Sequence, residues 1–120
     1  MRLKLNRPLV FIDIEATGIH VAQDKIVEIC LIKIHPDQQQ DIYLQRFNPE
    51  IPIPFDVSEI HGIYDVDVID EPVFKEKANE LVKFIGNSDL AGFNSNKYDV
   101  PLLMEEFIDL VLTLICLTEN

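Results

Sequence analysis

Two carboxylates near the start of the chain, Asp13 and Glu15, alternate with isoleucines in the segment FIDIEATG. Alternate residues of a β-strand share one face, so both side chains would point the same way, about 7 Å apart along the backbone. Two like charges placed in this way repel each other. A divalent cation between them would turn the repulsion into attraction, because carboxylate oxygens are hard ligands that suit Mg²⁺ or Mn²⁺. The alternative is the solvated face of an edge strand, without any ligand.

A third carboxylate, Asp99, lies in the polar segment NSNKYDVP at residues 94–101. Asp99 is either the N-cap of the helix that follows, since aspartate often precedes a first turn that contains proline, or a third acidic ligand that this short connection brings alongside the first strand. His61 is followed by Gly62 in a proline-rich region, and a His-Gly pair taken alone indicates a turn. Three carboxylates in one place would make a site for divalent ions.

Apolar runs and helical periodicity predict the elements that position these residues. Strands are expected at residues 8–16, 26–34, 42–47 and 89–93, with a turn at 37–40. The second of these is almost continuously apolar, which favours a central strand covered on both faces. A helical turn is expected around residues 58–60, a helix over 72–85 ending at Gly86, and another helix from near Asp99. The order βββαβα predicts an α/β domain, with a three-stranded meander, an added parallel strand, and helices on the faces of this mixed sheet.

The composition limits the classes of protein that the chain can represent. With 120 residues, 48% of them apolar, it can bury one core, which argues against a disordered tail or a disulfide-stapled miniprotein. The net charge of −11 argues against a broad basic surface for nucleic acid, so a phosphate ligand would need a cation. Cys30 and Cys116 lack the spacing of a zinc or redox motif. The longest apolar stretch, residues 107–117, is shorter than the roughly 20 residues that span a bilayer. We therefore expect a cytoplasmic protein without membrane contact.

Three segments in order form one combined pattern: FIDIEATG at residues 11–18, His61-Gly62-Ile63, and AGFNSNKYDVPLL at residues 91–103. Together they resemble the DEDD superfamily of 3′-to-5′ exonucleases, typified by the proofreading subunit of bacterial replicative DNA polymerases. The first segment is similar to that family's D-x-E-T-T-G strand, with Ala16 in place of the first Thr and both carboxylates intact. The resemblance covers about the first 105 residues.

The resemblance implies a ribonuclease-H-like fold and phosphodiester hydrolysis assisted by two divalent ions, Mg²⁺ or Mn²⁺. Asp13, Glu15 and Asp99 match the family's catalytic metal ligands. The positions that match substrate-binding residues are Thr17 and Gly18, which would approach the terminal nucleotide, and His61 and Asn94, which would support the substrate or the site. The implied partner is the 3′ end of a nucleic acid, DNA rather than RNA, with a DNA polymerase as a candidate protein partner.

One departure from the family concerns its third motif, a His or Tyr general base followed by a fourth carboxylate. The sequence reaches Asn120 without such a motif, and its histidines, His20, His35 and His61, all lie upstream. Loss of a base and a metal ligand costs orders of magnitude in rate. We therefore expect this chain to be a very poor nuclease. The helix that would carry the third motif is also missing, which predicts an open apolar sheet surface and marginal stability or self-association.

The last part of the chain differs in character from the rest. Residues 1–107 are interpreted as a partial exonuclease domain with the first and second motifs, and residues 108–120 as an anomalous apolar tail. The tail loses the polar spacing of an amphipathic helix within one turn. The prediction is a frameshifted reading of the gene, which sequencing of the locus would test, and the alternative is a genuine hydrophobic C-terminal helix.

Three interpretations of function stay open on the sequence alone. The first, which we favour, is a 3′-to-5′ exonuclease domain that is impaired in this chain. The second is a non-catalytic remnant that binds nucleotides or nucleic-acid ends. The third is an acidic protein-interaction domain whose carboxylates are ordinary surface charges. Metal-dependent binding of a nucleoside monophosphate separates the first two from the third, and hydrolysis separates the first from the second.

Overall fold

A four-stranded mixed sheet forms the centre of the protein in a computed structural model that describes residues 4–92, 99 and 101–108. Its strands are β1 (Leu9–Ala16), β2 (Ile26–Ile34), β3 (Gln40–Arg46) and β4 (Asp89–Ala91), in the spatial order β3-β2-β1-β4. β1 and β2, and β2 and β3, pair antiparallel, whereas β1 and β4 pair parallel. The predicted meander with one added parallel strand is therefore confirmed. The predictions for Asn94 and for residues 109–120 lie outside the described residues.

The helices follow the third strand and flank the fourth. They are α1 (Phe55–His61), α2 (Asp65–Val68), α3 (Phe74–Ile85) and α4 (residues 101–108). α1 is longer than the predicted turn at residues 58–60, and α2 was not predicted. α3 begins two residues after the predicted start, because the carbonyl of Pro72 accepts a hydrogen bond from Asn48 N–H (2.9 Å) instead of opening the helix. Gly86 follows the helix as predicted, with φ +54° and its N–H donating to Val82 O at 2.9 Å.

The hydrophobic core lies on one face of the sheet. Along β1 every second side chain is buried, and α3 and α4 pack against this face. The core includes Val10, Ile12 and Ile14 from β1, Ile29 and Leu31 from β2, Phe74 and Leu81 from α3, and Leu102 and Leu103 from α4. The rings of Phe74 and Phe107 meet edge to face, with centroids 5.1 Å apart, and so join α3 to α4. This alternation leaves Asp13 and Glu15 on the other face.

The opposite face of the sheet is open over the described residues. Phe11, Ile42 and Leu44 are exposed there, and Ile32 lies between Phe11 and Ile42 in the register. β2 is a central strand, as predicted. Its side chains on this open face are only half-buried, so β2 is covered on the core face and not, as expected, on both faces. Apolar side chains are thus exposed on this face within the described residues, while the absence of a covering helix and self-association stay predictions.

Within the described ranges, no helix combines the length and the apolar character that crossing a membrane requires.

Candidate active site

A cavity of about 580 Å³ opens beside the C-terminal half of β1. Its wall comes from four parts of the chain: β1, the turn after it, α1, and the region of Asp99 and α4. The lining residues that matter most below are Asp13, Glu15, Thr17, Gly18, Ile19, His20, Asp24, Ile60, His61 and Asp99. A cavity of this size is in the range that small-molecule sites occupy, about 300–1,000 Å³. The three carboxylates singled out in the sequence therefore share one pocket.

β1 presents its two acids through simple alternation. Asp13 is exposed and Glu15 half-buried, while the flanking isoleucines point into the core. β4 pairs with β1 only as far as Phe11, which faces Ala91. Beyond Phe11, this edge of β1 is no longer covered by β4, and it is there that the pocket begins. The alternative to a metal site was the solvated face of an edge strand. Asp13 is indeed exposed, but β1 is an inner strand of the sheet.

Asp99, which follows β4 in the chain, lines the same pocket. Its side chain is 5% exposed, and the backbone of Ile14 donates a hydrogen bond to its carboxylate. Burial, followed by the negative charges of Asp13 and Glu15, raises the pKa of Asp99, and the hydrogen bond from Ile14 lowers it; the net result is a pKa of about 6. Asp99 is therefore coupled electrostatically to both acids of β1.

Glu15 shows the same coupling from within the strand. Burial raises its pKa, Asp13 raises it as well, His61 lowers it, and Glu28 raises it. Asp13 thus makes ionisation of Glu15 more costly, and both acids of β1 do the same for Asp99. An added cation would relieve this repulsion, and oxygen-only carboxylate donors are those that Mg²⁺ and Mn²⁺ prefer. The donor set fits a divalent ion, although no three His, Cys, Asp or Glu side chains in the described ranges are already arranged to hold one.

His61 is the last residue of α1 and is fixed by two hydrogen bonds. Its Nδ1 accepts from Ile63 N–H (3.1 Å), so the proton is on Nε2, which donates to Ala16 O at 3.1 Å. Gly62 ends the helix with φ +78°, a left-handed conformation that favours glycine. The turn expected from the His-Gly pair is present, and the same histidine lies in the pocket. Both ring nitrogens are engaged.

Thr17 and Gly18 form the turn at the end of β1, and Asp24 holds that turn. The buried Thr17 hydroxyl donates to Asp24 Oδ1 (2.8 Å) and accepts from Lys25 N–H (3.0 Å). Asp24 Oδ2 accepts from His20 N–H at 2.8 Å. A Cβ on Gly18 would lie 2.5 Å from Asp24 Oδ2, so any other residue there would displace the Asp24 carboxylate. Sequence reasoning missed Asp24. The one available signal was a carboxylate placed shortly before β2, opposite a threonine that would otherwise be buried without a partner.

The fold and the acidic pocket define the class of protein: an α/β domain with the ribonuclease-H-like fold of exonucleases. E. coli exonuclease I, solved in complex with a dT13 oligonucleotide, superposes with a TM-score of 0.72 over 82% of this chain and 23% of its own, at 15% identity. The family is shown by the match of the sequence to a family model. This model, described as "Exonuclease", matches residues 10–114, so the chain belongs to the exonuclease family. The resemblance proposed from the three motifs is confirmed.

Curated relatives include a bacterial DNA polymerase III subunit epsilon and a PolC-type DNA polymerase III. The chain is 35% identical over 102 residues to the DNA polymerase III subunit epsilon of Rickettsia prowazekii, covering 81% of this chain and 43% of the relative. It is 30% identical over 105 residues to the PolC-type DNA polymerase III of Clostridium perfringens, covering 88% of this chain and 7% of the relative. The chain therefore spans less than half of the length of these relatives.

Proposed function

We propose that the pocket is the active site of a 3′-to-5′ exonuclease that removes nucleotides from the 3′ end of DNA, with two Mg²⁺ or Mn²⁺ ions held by Asp13, Glu15 and Asp99. The observation that carries the proposal is the meeting of these carboxylates in one pocket of a domain of the exonuclease family. When bound, the ions would activate a water molecule and stabilise the leaving 3′ oxygen. They would also supply the positive charge that the chain, at a net charge of −11, lacks.

The residues of the chain position the carboxylates and form a non-polar wall of the pocket. Asp99 is held by the Ile14 backbone, so its carboxylate is placed beside β1 before any ligand arrives. At the mouth of the pocket, Ile19 is 65% exposed and Ile60 86% exposed. Apolar side chains that face solvent beside an acidic site offer a surface for the faces of bases. The terminal nucleotide would thus place its phosphate at the carboxylates and its base against these isoleucines.

A proton acceptor is the remaining requirement of hydrolysis. Of the chain's histidines, His61 has both ring nitrogens engaged, and His35 lies on the β2–β3 turn with its Nε2 2.8 Å from Asp41 Oδ2. His20 is exposed and lines the pocket. Among the described residues it is therefore the histidine to test as a proton acceptor. General-base assistance contributes about 10²–10⁴-fold to a rate, so its weakness or absence would leave a slow enzyme.

The preference for DNA, and a role beside a polymerase, rest on the relatives. Exonuclease I has been solved with DNA oligonucleotides, and the epsilon and PolC-type relatives are components of DNA polymerase III. These facts support single-stranded DNA ends as substrate and proofreading during DNA replication as the process. They concern proteins of which this chain spans only a part.

The test uses the purified chain and a single-stranded DNA oligonucleotide labelled at its 5′ end. We expect slow shortening from the 3′ end with Mg²⁺ or Mn²⁺, none with EDTA, and none in Asp13→Asn or Asp99→Asn. An RNA oligonucleotide of the same sequence should be shortened more slowly. Metal-dependent binding of a nucleoside monophosphate without shortening would favour the non-catalytic remnant. Neither binding nor shortening would favour the acidic interaction domain.

A further inference from the structure

The antiparallel pairing of β1 and β2 is irregular at the end that borders the pocket. Glu15 pairs with Glu28, but the next residue of β1, Ala16, pairs with Ile26, so Val27 is an extra residue on β2. Ile26 and Val27 are both fully buried, Ile26 in the core described above and Val27 in a second apolar cluster with Ile53, Ile63 and Val68. A bulge of this kind interrupts the ladder of hydrogen bonds and re-aims the side chains beside it. Here it occurs beside Glu15.

Glu106 of α4 provides the hydrogen-bond partner for a backbone group of this bulge. Its Oε2 accepts from Ile26 N–H at 3.2 Å, across 80 positions of sequence, and its Oε1 lies 3.7 Å from Lys25 Nζ. Glu106 is only 8% exposed. A buried carboxylate is costly unless it is hydrogen-bonded or paired, and this one is both. Its contacts are made with the end of β2 that borders the site.

Asp99 and Glu106 make parallel contacts with the sheet. They are seven residues apart, Asp99 just before α4 and Glu106 within it. The Asp99 carboxylate accepts a hydrogen bond from the backbone of Ile14 on β1, and the Glu106 carboxylate accepts one from Ile26 N–H on β2. The intervening Leu102 and Leu103 are buried in the core. The segment is therefore attached to the sheet at two polar points, one on each side of the bulge.

We propose that Glu106 is a positioning residue of the site: by binding the bulge, it sets the placement of Asp99 relative to Asp13 and Glu15. The consequence for ion binding rests on the proposed function, whereas the placement itself does not. Removing the Glu106 carboxylate should loosen the contact between Asp99 and the Ile14 backbone, although Glu106 does not line the pocket. A role in local stability alone would affect Ile26 and leave Ile14 unchanged.

Amide hydrogen exchange measured residue by residue separates these two roles. In Glu106→Ala we expect the amides of both Ile14 and Ile26 to exchange at least about tenfold faster, since a lost hydrogen bond to a charged group has an effect of that order. Amides of the β2–β3 hairpin report any global loss of stability and serve as the internal reference. Glu105→Ala, which removes the adjacent charge of the same helix, is the matched control and should leave Ile14 unchanged. Acceleration at Ile26 with unchanged protection at Ile14 would overturn the proposal.

Two further variants cover the case in which Glu106→Ala does not fold. Glu106→Asp keeps the charge but is one methylene too short to reach Ile26 N–H, so it should accelerate exchange at Ile14. Glu106→Gln keeps an acceptor at the same reach and should restore protection. If Glu106→Asp and Glu106→Gln both retain the protection of the unaltered protein at Ile14, the proposal is wrong.

Calorimetric titration with Mn²⁺ alone then tests the consequence for the site. We expect about tenfold weaker binding in Glu106→Asp and nearly unaltered binding in Glu106→Gln and Glu105→Ala. Equal Mn²⁺ affinity in all of these variants would remove the positioning role. If the unaltered chain does not bind Mn²⁺ at all, the proposed function fails, while the exchange at Ile14 still decides the role of Glu106.

Discussion

The carboxylate of Asp99 is hydrogen-bonded to the backbone of Ile14, the residue that stands between Asp13 and Glu15 in β1. One strand residue therefore links all three acids: its neighbours on either side are two of them, and its own N–H binds the third. Because the bond is to backbone, the placement of Asp99 depends on the path of β1 and on no side chain of that strand. The acidic cluster is thus built into the sheet.

Mn²⁺ should stabilise the folded protein through this cluster. A ligand that binds only the folded state raises the unfolding free energy, by about 2.7 kcal/mol at 100 times its Kd. We expect millimolar Mn²⁺ to raise the melting temperature of the unaltered chain and to have a much smaller effect on Asp13→Asn. The measurement is a thermal melt followed by circular dichroism. An equal rise in both proteins would place the ion elsewhere.

Without metal, Asp99 should make the folded protein less stable as the pH rises. Its pKa is about 6 in the folded protein and 3.8 in an unperturbed carboxyl, so the folded state holds the proton more tightly. Below both values Asp99 contributes nothing. As pH rises between them the unfolded chain ionises first and stability falls, and above about 6 the loss is constant. Asp99→Asn should therefore be more stable than the unaltered chain at pH 7, by on the order of 1 kcal/mol.

Urea unfolding in EDTA at two pH values checks this prediction. The difference between Asp99→Asn and the unaltered chain should appear at pH 7 and vanish near pH 3. With Mn²⁺ at pH 7 the order should reverse, because Asn cannot replace the charged ligand. A variant that is less stable than the unaltered chain in EDTA at both pH values would show that burial of the Asp99 charge is not costly.

Gly92 should be required for the approach of the chain to β1 after β4. A Cβ at this position would lie 2.4 Å from the carbonyl oxygen of Ile12, a backbone atom that cannot move aside without displacing the strand. We expect Gly92→Ala to lower the unfolding free energy by about 2–4 kcal/mol. Gly62→Ala is the control, because nothing lies within 4 Å of a Cβ there and only its φ of +78° opposes a side chain. Equal losses in the two variants would contradict the close approach.

Thr17 and Asp24 should be energetically coupled. The Thr17 side chain is buried, and removing the Asp24 carboxylate leaves its hydroxyl without its acceptor, at a cost of about 1–3 kcal/mol. In a cycle of Thr17→Val, Asp24→Ala and the double variant, we expect a coupling free energy of about 1 kcal/mol in urea unfolding. Asp37→Ala removes an exposed turn contact to Gln39 N–H and should change stability by less than about 0.5 kcal/mol. Additive effects of Thr17 and Asp24 would show that the turn is held by other contacts.

The contrast between what the sequence predicted and what it did not follows from the range of the interactions. The alternation that places Asp13 and Glu15 on one face is local, and so is the Gly86 signal at the end of α3, and both predictions are correct. Asp24 and Glu106 were missed because their partners are defined only by the folded chain. The hydrogen bond between Glu106 and Ile26 depends on a bulge in the ladder, which no periodicity of the sequence reveals.

Whether any histidine of this chain assists hydrolysis can be decided by comparing His20 with His35. Both are exposed or half-buried imidazoles outside the core, but His20 lines the pocket, whereas His35 pairs with Asp41 at the far turn of the hairpin. If His20 accepts the proton, His20→Asn should lower kcat by about 10²-fold or more and flatten the acidic side of the pH–rate profile. His35→Asn should change neither kcat nor the pH dependence of the rate.

The measurement is the rate of 3′ shortening of a labelled oligonucleotide from pH 5 to 8. The Mn²⁺ affinity is determined at each pH, so that loss of the ion is not mistaken for loss of the base. Equal pH–rate profiles in His20→Asn and His35→Asn would mean that no histidine of the pocket acts as a base, since the His61 ring is already committed to Ala16 and Ile63.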